Sequence, residues 1–251
     1  MHGAALRAVG LGSWRYVLLS VPPERFAGTL AGLPARGFRG VNVTIPHKAA
    51  ALAAAAEATP AARAIGAANT LTFGPGGAAL ADNTDAQGLI DALPDAYAPA
   101  GRTALVLGAG GVGRAATWAL KAAGAADVAI WNRTPDRAER VAADLGVRAE
   151  RSPGRADIVV QCTSVGLHDP DETFKTLPLA ADDLGAGSLV VDLVYRSGGT
   201  RLLEVARARG ADVVDGLEIL VAQGAASFER WTGRTAPREA MRAAVGAISS
   251  T

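Results

Sequence analysis

The stretch that most constrains the fold covers residues 103–137 and reads TALVLGAGGVGRAATWALKAAGAADVAIWNRTPDR. An apolar run at 104–107 ends in the cluster Gly108-Ala109-Gly110-Gly111-Val112-Gly113. An amphipathic helical pattern follows to Leu120 and stops at Gly124. A second apolar run, 127–131, ends at Asn132-Arg133-Thr134. The order is strand, glycine turn, helix, strand. Gly108, Gly110 and Gly113 stand in the G-x-G-x-x-G spacing. The first permits a tight turn, the second lets the backbone approach a pyrophosphate, and the third lets the helix pack close to the strand. Open N–H groups of the first helical turn, at Gly111 and Val112, then face the anion. With 30 glycines in the chain the bare spacing is weak evidence. Its place between a strand and a helix is what favours a bound dinucleotide over an ordinary strand–helix turn.

The end of the second strand selects the cofactor. An NAD site wants Asp or Glu there, bonded to the ribose 2′-OH. Here the chain offers Asn132, Arg133 and Thr134, with Arg137 four residues beyond Arg133 and no carboxylate before Asp136. Two guanidiniums and a hydroxyl suit a 2′-phosphate, because arginine forks onto phosphate oxygens. NADP is therefore expected. The plain alternative is that Arg137 only solvates a helix face.

At 251 residues the chain allows one large domain or two small ones, and 49% hydrophobic residues suffice for a core. A net charge of +1 gives no argument for a nucleic-acid or membrane partner. The single cysteine, Cys162, fits a reducing compartment. No apolar stretch reaches membrane-span length and the start lacks a signal-peptide pattern, so a cytoplasmic location is expected. His2, His47 and His168 have no zinc-like spacing, and no metal is expected. Of 25 basic residues only Lys48, Lys121 and Lys175 are lysines. Arginine does not give up its proton in a protein, whereas lysine can. Lys121 and Lys175 read as solvated surface; Lys48 does not.

Strands alternate with helices along the chain, which implies a parallel, doubly wound sheet. A helix is expected over 2–9, a strand over 14–21, a helix over 23–35 and a strand over 40–45. An alanine-rich helix over 47–56 and a short one over 61–65 precede a hairpin, 69–73 and 78–81. After the helix 86–93, the Pro/Ala segment 94–101 reads as a linker, placing a first domain at 1–98 and a second at 99–217. Beyond the glycine turn, helices are expected over 135–145, 200–209, 216–231 and 236–248, and strands over 158–161, 188–193 and 211–214.

Three polar clusters stand at the ends of apolar elements: Asn42-x-Thr44-x-Pro46-x-Lys48, then Asn69-Thr70, then Asn83-Thr84-Asp85. Ligands of open α/β sheets sit beyond the carboxyl ends of strands. Asn42 and Thr44 share one strand face, and Lys48 follows at the start of a helix. Asp85 reads equally well as the cap of its helix, and Asn69 as a turn residue. Hydride transfer from an alcohol needs a proton acceptor beside the nicotinamide. No histidine has a convincing context, which leaves a lysine–carboxylate pair. His47 adjoins Lys48 but points elsewhere on a helix.

The segments NVTIPHK, IGAANT, DNTDAQG, GAGGVGRA, NRTPDRA, DLVY and QGAASFERWTG stand in the order found in the shikimate dehydrogenases, and the chain resembles that family across most of 40–233. The resemblance implies an N-terminal α/β substrate domain completed by the C-terminal helices (218–251), a Rossmann-type doubly wound NADP domain and a cleft between them. It implies reversible NADP-dependent reduction of 3-dehydroshikimate to shikimate, in aromatic amino-acid biosynthesis, by a monomer or homodimer. Lys48 and Asp85 would be the catalytic pair. Thr44, Asn69, Gln223 and Tyr195 would contact the substrate, and Thr163, Leu193 and Gly216 would join the cofactor contacts.

Departures from the family pattern are also present. Gln161-Cys162-Thr163-Ser164 replaces an Asn-Ala-Thr-Ser segment, Ser197 stands where a proline often follows DLVY, and Ile219 replaces a methionine beside the nicotinamide. The family also carries a strand and a Ser-x-Ser-Pro turn ahead of its Met-His, which here is Met1-His2. Without them the chain is expected to fold its NADP domain but to turn over shikimate poorly. Two other readings stay open: a quinate/shikimate dehydrogenase of relaxed specificity, and a cofactor-binding protein with little turnover.

Overall fold

The computed structural model describes residues 1–195 and 199–247; Ser197 and Ile248 lie outside the described residues. The chain divides into two compact units, Met1–Gly88 with Val221–Val245, and a second built on Leu89–Leu220. Both divisions fall inside helices, Thr84–Ala92 and Gly216–Thr232. The segment 94–101 instead holds a single 3-10 turn, Asp95–Tyr97.

The first unit is a four-stranded sheet with helices against it. Its strands are β1 (Gly40–Asn42), β2 (Glu57–Ala58), β3 (Thr70–Phe73) and β4 (Ala79–Asp82), in the order β1-β3-β4-β2. The pairs β1/β3 and β3/β4 are antiparallel, while β2 runs parallel to β4. Leu30, Val43, Ala51, Leu71 and Ala81 form the core between the sheet and its helices. The helix Pro60–Ile65 starts on a proline, whose missing N–H is not needed there, and Thr59 caps it by accepting from Ala62 N–H at 3.2 Å. The returning C-terminal segment is bound to the sheet by Trp231, whose Nε1–H donates to Leu71 O at 3.0 Å. A Cβ on Gly40 would lie 2.1 Å from that Nε1, so only glycine lets the tryptophan come so close. Arg230 pairs with Asp82 on the same sheet.

Residues 14–21, expected as a strand, form none. Apolar, β-branched composition alone does not make a strand; β1 at the sheet edge pairs with β3 alone, and the stretch meets β1 through the Tyr16 hydroxyl, which donates to Asn42 Oδ1 at 3.1 Å. The stretch runs outside the sheet, with Leu18 92% exposed. A groove of about 450 Å³ is lined jointly by Trp14, Tyr16, Gly40 and Trp231. The strand expected over 40–45 ends at Asn42, ahead of a cis Ile45–Pro46 peptide.

The second unit is a parallel six-stranded sheet. Its strands are β5 (Thr103–Leu107), β6 (Asp127–Trp131), β7 (Arg148–Ala149), β8 (Ile158–Gln161), β9 (Leu189–Asp192) and β10 (Asp212–Val214), in the order β10-β9-β8-β5-β6-β7. Alternation along each strand fills two cores. Ala104, Val106, Ile158, Val160, Leu189 and Val191 face one; Leu105, Leu107, Val159 and Val190 face the other. Strands buried on both faces read as unbroken apolar runs, which is why the glycine turn at the end of β5 is flanked by such a run. The fold is α/β with a doubly wound, Rossmann-like unit.

Lys121 is not simply solvated. Its Nζ donates to Leu145 O at 2.6 Å and Gly146 O at 3.0 Å, closing the C-terminus of the helix Pro135–Leu145. No helix among the described residues is long and apolar enough to cross a membrane.

Candidate active site

Three residues of the first unit meet in one ion pair and its support. Lys48 is the first residue of the helix Lys48–Ala54, and Asp85 lies in the first turn of the helix Thr84–Ala92. Lys48 Nζ donates to Asp85 Oδ2 at 2.7 Å, and Asn69 Nδ2 donates to Asp85 Oδ1 at 2.8 Å. The side chains of Lys48 and Asp85 are 13% and 17% exposed, shielded yet reachable. Asp85 does not cap its helix: Asn83 does, accepting from Ala86 N–H at 3.3 Å. That leaves both carboxylate oxygens for Lys48 and Asn69. Asn69 is not a turn residue either. It is buried ahead of β3, and its Oδ1 accepts from Thr84 N–H at 2.7 Å. An ammonium carries three donors, of which one is directed at Asp85.

The other expected substrate contacts are placed as follows. Thr44 is exposed two residues past β1, with its carbonyl accepting from His47 N–H. Gln223 lies on the helix Gly216–Thr232, so close to Gly88 that a Cβ there would come within 2.6 Å of it. Gly88 follows Asp85 by three residues, on the same face of its helix, which puts Gln223 beside the helix that carries Asp85. His47 is committed elsewhere, its Nε2 2.8 Å from Val21 O and its ring stacked on Phe26 at 4.5 Å. Tyr195, in the second unit, is 54% exposed.

The glycine turn of the second unit is built as the spacing requires. Gly108 takes φ +110°, and a Cβ on Gly113 would lie 1.7 Å from Gly108 O. Above Gly110 the space is open, with nothing within 4 Å of a Cβ. The first backbone bond of the helix Gly111–Ala122 runs from Arg114 N–H to Gly110 O, so the N–H groups of Gly111, Val112 and Gly113 precede the ladder. Asn132 braces this turn: its Oδ1 accepts from Ala109 N–H at 3.0 Å and its Nδ2 donates to Thr134 O at 3.0 Å. Arg133, Thr134 and Arg137 are exposed, and neither arginine is in an ion pair among the described residues. These features fit a dinucleotide carrying a 2′-phosphate.

Around the remaining expected contacts, Gln161, which stands where the family pattern has asparagine, holds its own loop. Its Oε1 accepts from Thr163 N–H at 2.5 Å and its Nε2 donates to Val165 O at 3.0 Å, holding the loop after β8 from both ends of one amide. A Cβ on Gly216 would lie 2.9 Å from Leu193 O, so helix start and strand end touch there. Ile219 is buried in the core of the second unit. Asp192, at the end of β9, is buried too. Burial pushes its carboxyl up to about 6, against the opposing hydrogen bonds from Thr200 and Val194.

The sequence matches the description "Shikimate dehydrogenase substrate binding domain" over residues 1–71, "Shikimate / quinate 5-dehydrogenase" over 95–166 and "Shikimate 5'-dehydrogenase C-terminal domain" over 216–245. The shikimate dehydrogenase (NADP(+)) of Methanopyrus kandleri is 42% identical over 98% of this chain and 89% of its own length. The chain belongs to the shikimate dehydrogenase family. Among solved structures, the Thermus thermophilus shikimate 5-dehydrogenase in complex with NADP(H) and shikimate superposes with a TM-score of 0.88 at 41% identity, covering 98% of this chain and 92% of the other. The ligand-free 5-ketofructose reductase of a Gluconobacter strain superposes with a TM-score of 0.90 at 32% identity, covering 98% and 91%. A neighbour named for a different substrate thus shares the frame, and the fold by itself does not fix the substrate.

Sequence reasoning placed Asn42, Thr70 and Thr84 in its polar clusters but gave them no role; the structure bonds them to one another and, through Thr70 and Thr84, to Asn69. The signal was present in the repeated Asn-Thr pairs at 69–70 and 83–84.

Proposed function

We propose that this chain is an NADP-dependent shikimate dehydrogenase. It interconverts shikimate and 3-dehydroshikimate, with the first unit binding substrate and the second the cofactor. The observation that carries this reading is the ion pair Lys48–Asp85, braced by Asn69 and partly shielded from water. NADP, when bound, supplies the hydride carrier. The turn Gly108–Gly113 holds its pyrophosphate against open N–H groups. Arg133, Thr134 and Arg137 take the 2′-phosphate, with Asn132 fixing the turn and Thr163, Leu193 and Gly216 walling the site.

Lys48 handles the proton. In the reducing direction its ammonium donates to the carbonyl oxygen of the substrate; in the oxidising direction the neutral amine accepts the hydroxyl proton. Asp85 holds the amine in place and accepts from a substrate hydroxyl. Asn69, Thr44, Gln223 and Tyr195 orient the ring through its hydroxyls. The match to NADP-dependent relatives over nearly the whole chain supports the substrate, and the two guanidiniums without a carboxylate partner support NADP over NAD.

Steady-state shikimate oxidation by Lys48→Ala tests the assignment. General acid–base work is worth about 10²–10⁴-fold, so kcat is expected to fall by that factor while KM for shikimate changes little. A near-normal kcat with a raised KM would make Lys48 a binding residue only.

A further inference from the structure

Lys48 and Asp85 end a longer row of groups that the proton transfer itself does not use. Asn69 meets Asp85 through Nδ2, and the opposite side of its amide is fixed by the Thr84 main chain. An N–H can only donate, so Asn69 must turn Oδ1 toward Thr84 and Nδ2 toward the carboxylate. Behind the amide stand the hydroxyls of Thr70 and Thr84, both fully buried. They lie 2.9 Å from each other and 3.1 Å each from Asn69 Oδ1. Asn42 closes the row: its Nδ2 donates to Thr70 Oγ1 at 3.1 Å, and its Oδ1 accepts from the Tyr16 hydroxyl at 3.1 Å.

These contacts restrict where each proton can go. Thr70 Oγ1 accepts from Asn42, so its own proton goes forward, to Thr84 Oγ1 or to Asn69 Oδ1. Under either choice at least one hydroxyl proton reaches Asn69 Oδ1, from Thr70 or from Thr84. Tyr16 and Asn42 thus donate one way toward Thr70, the threonine pair donates into Asn69, and Asn69 passes the last hydrogen bond to Asp85. Aligned bonds in a low-dielectric interior polarise and stiffen one another.

We propose that Thr70 is a positioning residue for the Lys48–Asp85 pair. Held between Asn42 and Asn69, its hydroxyl locks the Asn69 amide and, through it, the carboxylate that orients Lys48. It touches neither Lys48 nor Asp85, and its complete burial keeps it from the substrate. The inference rests on the reading of Lys48 and Asp85 as the proton-transfer pair.

Two substitutions separate this role from packing. Thr70→Val keeps the shape and loses the hydroxyl; Thr70→Ser keeps the hydroxyl and loses a methyl. Because small misplacements of reacting groups cost up to about 10²-fold, kcat for shikimate oxidation is expected to fall about tenfold or more in Thr70→Val. In Thr70→Ser it should stay within about threefold of the parent, whatever the two thermal midpoints do. Near-parental kcat in Thr70→Val, or an equal loss in Thr70→Ser, overturns the proposal. If the valine protein does not fold, Thr70→Cys, of similar size and with a weak donor, replaces it; kcat below that of Thr70→Ser is expected, and kcat equal to the parent overturns the proposal. Asp85→Asn is assayed alongside. Retained kcat there removes the proton-transfer reading and this inference with it. Lost kcat in Asp85→Asn together with normal kcat in Thr70→Val removes only the role of Thr70.

Discussion

Asp192 shows how one buried charge couples stability to pH. Its carboxyl titrates near 6 in the folded chain, chiefly because burial disfavours the anion, against an ordinary value of 3.8. The folded state therefore holds a proton that the unfolded state has lost between about pH 4 and 6. Stability falls as pH rises through that window, and the deficit is complete above it. At roughly 1.4 kcal/mol per pH unit the ceiling is about 3 kcal/mol. Asparagine cannot accept from both Thr200 and Val194 as the carboxylate does, which offsets part of the gain. Asp192→Asn is expected to gain about 1–2 kcal/mol over the parent at pH 8 and close to nothing at pH 4, read from urea midpoints across pH. A difference that does not vary with pH would contradict it. Residue roles are legible in the sequence to unequal degrees. Lys48 stands out because lysine is rare here. Asp85 is ambiguous, since a carboxylate at a helix start reads equally as a cap. Only the position of Asn83 in space, taking the cap, decides between the two.

At the scale of elements, the glycine turn depends on contact between a helix and the strand before it. Gly113→Ala would place a methyl 1.7 Å from Gly108 O, so the helix Gly111–Ala122 must shift outward and carry the N–H groups of its first turn with it. The expected outcome is loss of NADP affinity by tenfold or more, roughly one or two charge-assisted hydrogen bonds, with the far-ultraviolet spectrum unchanged. Unaltered affinity in calorimetric titration would show that the turn does not hold the cofactor. Elements with a strong period are readable from sequence. Strands β5 and β8 appear as apolar runs and the helix Pro135–Leu145 by its proline and glycine ends. The two-residue strands β2 and β7 are not readable, because a ladder that short is decided by its neighbour. The stretch 14–21 misleads because strand-suited residues do not by themselves make a ladder: it passes the open edge of β1, with Tyr16 bonded to Asn42, without becoming a strand.

For the whole molecule, each unit has its own core and its own pair of tryptophans, Trp14 and Trp231 in the first, Trp118 and Trp131 in the second. Urea unfolding is expected to show two transitions, separable by replacing one pair with phenylalanine. NADP at about 100 times its Kd should raise the second unit's transition by about 2.7 kcal/mol and leave the first in place. A single transition that moves as a whole would overturn this. The chain's path has a consequence for its birth on the ribosome. The first unit is discontinuous: Trp231 bonds to Leu71 and Arg230 to Asp82, partners separated by the stretch Leu89–Leu220 of the second unit. At about 5–20 residues per second, on the order of 10 s passes between the emergence of Gly88 and that of Val221. The stretch Leu89–Leu220 of the second unit has time to fold in that interval, while the sheet of the first waits without Trp231 and Arg230. The part synthesised first is thus the part finished last, and the nascent chain is most open to chaperones, and to aggregation, at its N-terminal end.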